Sequence, residues 1–305
     1  MSNVYYGKFV LRPRHEILSF PSKREKDLKQ RSKIMELFKI DVNEVTGRLC
    51  DFLSANLNRT GLNGFVLGLS GGLDSAVSTI LSVRAVGKEK VKPILLPYKT
   101  SSPENLADAR RLAESLDIEY HTVEITPMSE AYFAMEPEMG KIRRGNFMAR
   151  MRMAVLYDHA AKFKMLVLGT SNKTEALLGY GTIHGDAAWD INPLWDLYKT
   201  QVRELARFLK VPSTIIEKNP TADLWQDQTD EGELGFSYDR IDRLLFLMID
   251  SGYGNERLVK EGFSEEEISR AKKLVKINQF KRSGPITARL FDQYPGCDFA
   301  APESW

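Results

Sequence analysis

The hydrophobic positions change period along the chain. From Asp41 onward Val42, Val45, Leu49, Phe52 and Leu53 recur three or four apart, which predicts one face of a helix. A polar stretch with a glycine, 58–63, breaks that pattern. Residues 64–69 then form a short unbroken apolar run, which predicts a strand buried on both faces. Helical spacing returns over 75–86, a second strand is expected over 91–96 up to Pro97, and a helix opening on Pro103 runs to 116. Two more strands, 119–125 and 165–168, flank a long helix, 146–163. Short apolar strands alternating with amphipathic helices predict an α/β fold, a Rossmann-like parallel sheet with helices on both faces. Ligands of such sheets sit outside the carboxyl ends of the strands.

Further on the pattern is helical. A helix is expected over 198–209, and Ile241, Leu244, Leu245, Met248 and Ile249 keep helical spacing. Ser264 with Glu267 three residues on has the form of a capping box opening another helix. Between these lies 219–235, polar, acidic and interrupted by Pro220 and two glycines, whose length suits a lid. The expected organisation is a basic arm, 1–36, a main domain, 37–290, with a mobile loop over 219–235 and a helical C-terminal extension, and an irregular tail, 291–305.

Composition narrows the function classes. With 43% apolar residues in 305, a full core is available, and a net charge of +2 makes no demand for nucleic acid. The lysines and arginines of the arm read as a solvated surface. Cys50 and Cys297 are far apart and in no metal-ligand spacing, so neither a disulfide scaffold nor a cysteine zinc site is expected. No signal-like start and no membrane-length apolar run are present, and the expectation is a soluble cytoplasmic protein that does not engage a membrane.

The candidate chemistry lies between the first strand and its helix, at Gly68-Leu69-Ser70-Gly71-Gly72-Leu73-Asp74-Ser75. Consecutive glycines let the backbone turn sharply and approach a ligand. Successive N–H groups at a helix start make an anion nest, to which Ser70 and Ser75 add hydroxyls. A carboxylate at Asp74 would repel phosphates unless a cation sat between, which implies Mg²⁺. The stretch is neither a Walker A loop nor a dinucleotide G-x-G-x-x-G fingerprint.

Ser-Gly-Gly-x-Asp-Ser resembles the pyrophosphate loop of the N-type ATP pyrophosphatases, which include NAD, GMP, argininosuccinate and asparagine synthetases and tRNA-thiolating enzymes. Later stretches resemble the NAD synthetase family, of the ammonia-using kind. These are Gly145-Asn146-Phe147-Met148-Ala149-Arg150-Met151-Arg152, Gly169-Thr170 with Glu175, Gly185-Asp186 with Asp190 and Asn192-Pro193-Leu194, Pro220-Thr221-Ala222-Asp223-Leu224, and Asp230 to Gly235. The resemblance implies ATP-dependent amidation of deamido-NAD with ammonia through an acyl-adenylate, releasing AMP and pyrophosphate. It assigns ATP binding to Gly68 through Ser75 with Thr170, Lys199 and Thr221, Mg²⁺ to Asp74 and Glu175, and deamido-NAD to Arg150, Asp190, Phe280 and Lys281. Asp186 is expected to bind ammonium and take its proton, with His184 a less favoured neighbour. The resemblance also implies a homodimer.

Two departures stand out: Ile183 replaces a lysine common in the family, and Phe280 replaces a histidine. Both lose a polar contact to substrate that Phe280 stacking and His184 could restore. The alternating core begins at Phe65, which leaves too few residues before it for a glutaminase half, so glutamine alone is expected to be inert unless a separate subunit supplies the ammonia. The competing readings are another N-type pyrophosphatase, amidating or thiolating, and a nucleotide-binding module without catalysis.

Overall fold

The computed structural model describes residues 36, 38–221, 223–225, 228–284 and 288. The chain divides into two compact units, Met1–Lys39 and Ile40–Trp305. The arm but for Glu36, the tail, Cys297 and Pro285 lie outside the described residues. The sheet and every candidate site residue belong to the second unit.

Four short strands make one parallel sheet in the order β3-β2-β1-β4: β1 (Phe65–Gly68), β2 (Val91–Leu95), β3 (His121–Thr122) and β4 (Leu166–Val167). Alternation of side chains along β1 sends Phe65 and Leu67 to one face and Val66 to the other. The first face is covered by α1 (Val42–Thr60), α2 (Leu73–Val86) and α7 (Lys199–Phe208), whose Leu53, Leu57, Val77, Leu81, Val202 and Leu205 join one core. The second is covered by α4 (Thr126–Met135) and α5 (Lys141–Phe163), through Phe133, Met148 and Ala160. The expected three layers are therefore present. Each fully buried Leu or Phe in them contributes roughly 1.5–3 kcal/mol.

Some boundaries differ from the pattern. The strand expected over 119–125 is regular over only two residues, although Val123 and Ile125 N–H still donate to the Leu95 and Pro97 carbonyls at 2.9 Å each; α4, which has a weak apolar stripe and was not anticipated, starts directly after them. Helix α5 begins at Lys141, so Gly145 lies inside it. The edge strand β4 is prolonged by a parallel bridge from Leu168 to Ile191. The short α6 (Lys173–Leu178) comes next, opened by a capping box between Asn172 and Glu175.

After α7 the chain forms α8 (Ser213–Ile216), crosses the expected loop and makes α9 (Asp230–Leu234) within it. Then come α10 (Tyr238–Leu245), extended by a wide turn through Asp250, α11 (Asn255–Lys260) and α12 (Glu265–Ile277). The capping box at Ser264 and Glu267 forms in both directions, at 3.2 and 2.7 Å. Among the described residues no helix is long and apolar enough to cross a membrane.

The strand order fixes the site. The chain moves from β1 to β2 and β3 on one side, then returns to place β4 on the other side of β1. The reversal opens a crevice at the carboxyl end of β1, which leads directly into the glycine loop.

Candidate active site

The glycine loop turns at Gly71, whose φ of +80° is left-handed, and a Cβ there would lie 2.0 Å from the Asn105 carbonyl oxygen. Only glycine fits on both counts. The serines brace the turn: Ser70 Oγ and Ser75 Oγ are 3.0 Å apart, Gly72 N–H donates to Ser70 Oγ at 3.2 Å, and Ser75 Oγ donates to the Gly72 carbonyl at 3.0 Å. No side chain caps the start of α2. Its first amides, with the helix dipole behind them, remain available for an anion.

Three elements meet at the mouth of this loop. Asp74, in the first turn of α2, and Glu175, in the first turn of α6, both receive the ammonium of Lys199, the first residue of α7. Lys199 is 4% exposed, and its contact with Glu175 is 3.4 Å. Asn172 ties the two carboxylates together, donating to Asp74 Oδ1 at 3.1 Å and capping the helix that carries Glu175. Burial opposes the charge on Lys199, but Asp74 and Glu175 outweigh it and hold the ammonium above the ordinary lysine range. One ammonium does not neutralise two carboxylates. Glu175, the less closely contacted, is held well above the usual carboxylate range, by burial first and then by Asp74 and Asp230, against the pull of Lys199.

A second ring of residues, not anticipated from sequence, closes this chamber. Asp230 is buried and accepts from the hydroxyls of Tyr180 and Tyr238, each at 3.0 Å; burial raises its carboxyl. The Tyr238 ring lies 5.2 Å from the Lys199 ammonium, and Tyr180 also reaches Glu233 at 2.9 Å. Their only sequence signals were Tyr180 between two glycines and the acidic run from Asp230.

Described residues of the segment expected as a lid, Thr221, Asp223, Leu224, Trp225 and Gln228, line the cavity. Asp223 accepts from Ser102 N at 3.0 Å and Asn105 Nδ2 at 3.3 Å, at the start of α3 (Pro103–Ser115). Leu224 and Trp225 rest on the bare backbone of Gly145, where a Cβ would meet them at 3.1 and 3.2 Å. The Lys141 ammonium sits 5.3 Å over the Trp225 ring.

One cavity of about 820 Å³ collects most of the expected residues: Gly68, Leu69, Ser70, Gly72, Leu73, Asp74, Ser75, Thr170, Glu175, Asp186, Lys199, Thr221 and Lys281. Asp186 Oδ1 accepts from Thr182 N at 2.8 Å. Its side chain is exposed towards the cavity, and the protein packed around it raises its carboxyl against the hydrogen bonds of Thr182 and the charge of Lys281. Lys281 Nζ donates to the carbonyls of Gly179 and Gly181 at 2.7 and 2.8 Å.

Arg150, Asp190 and Phe280 do not line this cavity. On α5 it is Arg152 that faces it, with Nε on the Leu96 carbonyl at 3.0 Å; two helical residues apart point about 200° apart, so Arg150 faces elsewhere. Asp190 holds the edge of the sheet, accepting from Val167 N at 2.7 Å and Tyr157 at 3.2 Å, and borders a smaller cavity of about 480 Å³ beside Trp189 and Trp195. Phe280 is 56% exposed, and Ile183 and the exposed His184 also stand outside the main cavity. Cys50 lies on α1 against the Leu81 carbonyl, away from the loop.

The donor set bears on the expected metal. Among the described residues no three His, Cys, Asp or Glu side chains gather in a metal-binding cluster. Two carboxylates beside a phosphate nest suit Mg²⁺, which takes one or two carboxylates and completes its shell with phosphate oxygens and water.

The NAD synthase family model matches residues 45–285 of the chain. The NH(3)-dependent NAD(+) synthetase of Chlorobium phaeobacteroides is 46% identical over 266 residues, covering 87% of this chain and 96% of that protein. Among solved structures, the chain resembles NMN synthetase from Francisella tularensis, with a TM-score of 0.74 and 36% identity over 83% of this chain and 100% of the other. It also resembles the NH3-dependent NAD synthetase from Campylobacter jejuni, with a TM-score of 0.71 and 35% identity over 82% and 100%.

Proposed function

This chain belongs to the NAD synthase family, and we propose that it amidates the nicotinate carboxylate of deamido-NAD with ammonia, using ATP and releasing AMP and pyrophosphate. The observation that carries the reading is the convergence of Asp74, Glu175 and Lys199, from three separate elements, on an uncapped helix start. A module that only held adenine would have no use for that charge at the phosphates. A thiolating enzyme would want a cysteine at the site, and Cys50, the one cysteine among the described residues, stands away from it.

A carboxylate resists ammonia because it is anionic and oxide is a poor leaving group. Its oxygen therefore first attacks the α-phosphorus of ATP, and the bond from that phosphorus to the bridging oxygen breaks. Pyrophosphate leaves into the amides of the Gly68–Ser75 loop, where Ser70 and Ser75 hold the turn in shape. Lys199 exchanges carboxylate oxygens for phosphate oxygens as the triphosphate enters. Asp74 and Glu175 would hold a Mg²⁺ ion, which would supply the remaining neutralising charge at the leaving phosphates. Ammonia then attacks the acyl carbon, AMP departs, and the surplus proton passes to Asp186, whose raised carboxyl suits a base. The loop seated on Gly145 and Ser102 keeps water from the adenylate.

Thr170, Thr221 and Lys281 are proposed as further contacts to the two substrates. Arg150, Asp190 and Phe280 keep their proposed roles towards deamido-NAD outside this cavity, on a cytoplasmic homodimer. The test is purified protein with deamido-NAD, ATP, Mg²⁺ and ammonium, followed by phosphorus NMR and chromatography. NAD, AMP and pyrophosphate are expected, and none with glutamine replacing ammonium. ADP as the nucleotide product would overturn the reading. Preference for nicotinate mononucleotide would move the substrate to the shorter acid.

A further inference from the structure

Helix α10 carries two buried polar residues one turn apart, Tyr238 and Asp242, and both face the chamber of Lys199. Tyr238 lies under the ammonium. Asp242 is 0% exposed and grips the backbone instead. Its Oδ2 accepts from Thr200 N–H at 2.8 Å, and its Oδ1 accepts from the Thr174 hydroxyl at 2.6 Å. The Thr174 oxygen in turn accepts from Lys199 N–H at 3.0 Å. The first two amides of α7 are thus satisfied by one carboxylate, directly and through one hydroxyl. Thr174 is the residue before Glu175, so the same carboxylate also ties the first turn of α6 to that of α7.

A neutral serine or asparagine suffices to cap a helix. A carboxylate removed from water is costly, and Asp242 is held here by two neutral donors, with no ion pair to it among the described residues. What a charged group adds is a fixed pull on the amides of α7, whose first residue is Lys199. We propose that Asp242 is a positioning residue for the phosphate-leaving chemistry: through Thr174 and Thr200 it sets where the Lys199 ammonium stands relative to Asp74 and Glu175. This rests on the functional reading above.

Four variants test it: Asp242→Asn, Thr174→Val, Thr174→Ser and, as a burial control on the same helix, Ile241→Val. Amide exchange by NMR reads position without substrate. Asp242→Asn and Thr174→Val are expected to speed exchange at Lys199 and Thr200 but not at Val202 or Leu205. In the amidation assay both should lower kcat by roughly 10–100-fold, as displaced catalytic groups do, with KM for ATP changed less than about threefold. Thr174→Ser keeps the hydroxyl and should restore most of the rate. Ile241→Val should lower the melting temperature with kcat intact. Equal loss from Ser and Val at Thr174, or unchanged kcat in Asp242→Asn despite a lower melting temperature, would overturn the proposal. A wild type that makes no NAD would sink the functional reading, while the exchange measurement would still decide whether Asp242 fixes the start of α7.

Discussion

At the scale of single residues, the site is a charge arrangement built for a ligand it does not match alone. Lys199 serves two carboxylates, and Glu175 is left the less compensated. Removing that carboxylate relieves a repulsion in the free protein while taking away a group proposed to hold the metal. Glu175→Gln is therefore expected to lower kcat by roughly 100-fold or more with no fall in melting temperature. Asp74→Asn should cost activity similarly but also stability, because Asp74 is the closer partner of Lys199 and also receives Asn172. Steady-state kinetics at limiting Mg²⁺ beside thermal denaturation checks both, and wild-type turnover in either variant would remove it from the metal site. Of these residues only the serine-glycine loop stood out by itself, whereas Glu175 and Lys199 were marked by the family resemblance; the structure brings the three together. Arg150 and Arg152 were not separable, since both lie in the same motif and only the phase of α5 tells which one turns to the cavity.

At the scale of elements, the sequence pattern was strongest where a helix or strand covers the sheet and weakest where an element is short. Helix α6, six residues long, has no room for a period, so only its Asn172 and Glu175 cap could have marked it. The chamber behind Lys199 was illegible for another reason. Tyr180 and Asp230 are 50 residues apart, and Thr174 and Asp242 are 68 apart, so no local pattern pairs them. Within α10 Asp242 sits between Ile241 and Leu244, and only the packed structure shows that it points inward with them. That burial has a pH signature. Against the hydrogen bonds of Thr174 and Thr200 and the charge of Lys199, burial lifts the Asp242 carboxyl from 3.8 to about 6. An acid with a raised folded-state pKa binds its proton more tightly when folded. Its stabilising share is full below about pH 4 and is lost as pH rises through about 6, amounting to roughly 3 kcal/mol. Melting temperatures between pH 4 and 7 should accordingly be flatter with pH for Asp242→Asn than for the wild type, and parallel curves would contradict it.

At the scale of the whole sheet-bearing unit, the order β3-β2-β1-β4 puts the crevice where the chain reverses. The layers and the position of the crevice followed from alternating strands and helices. What did not follow is how the loop fastens, because its seats come from elements distant in sequence: the start of α3 for Asp223 and the bare backbone of Gly145 for Leu224 and Trp225. Those seats set a leak. An acyl-adenylate has two fates, capture by ammonia or hydrolysis, and on the proposed reading the loop's hold over the site sets the share of each. The fit at Gly145 can therefore be read as a stoichiometry, the AMP released per NAD formed. With the seat intact the two should appear in equal amounts. Gly145→Val, which pushes against Leu224 and Trp225, should raise AMP well above NAD at low ammonium, and excess ammonium should draw the ratio back towards parity.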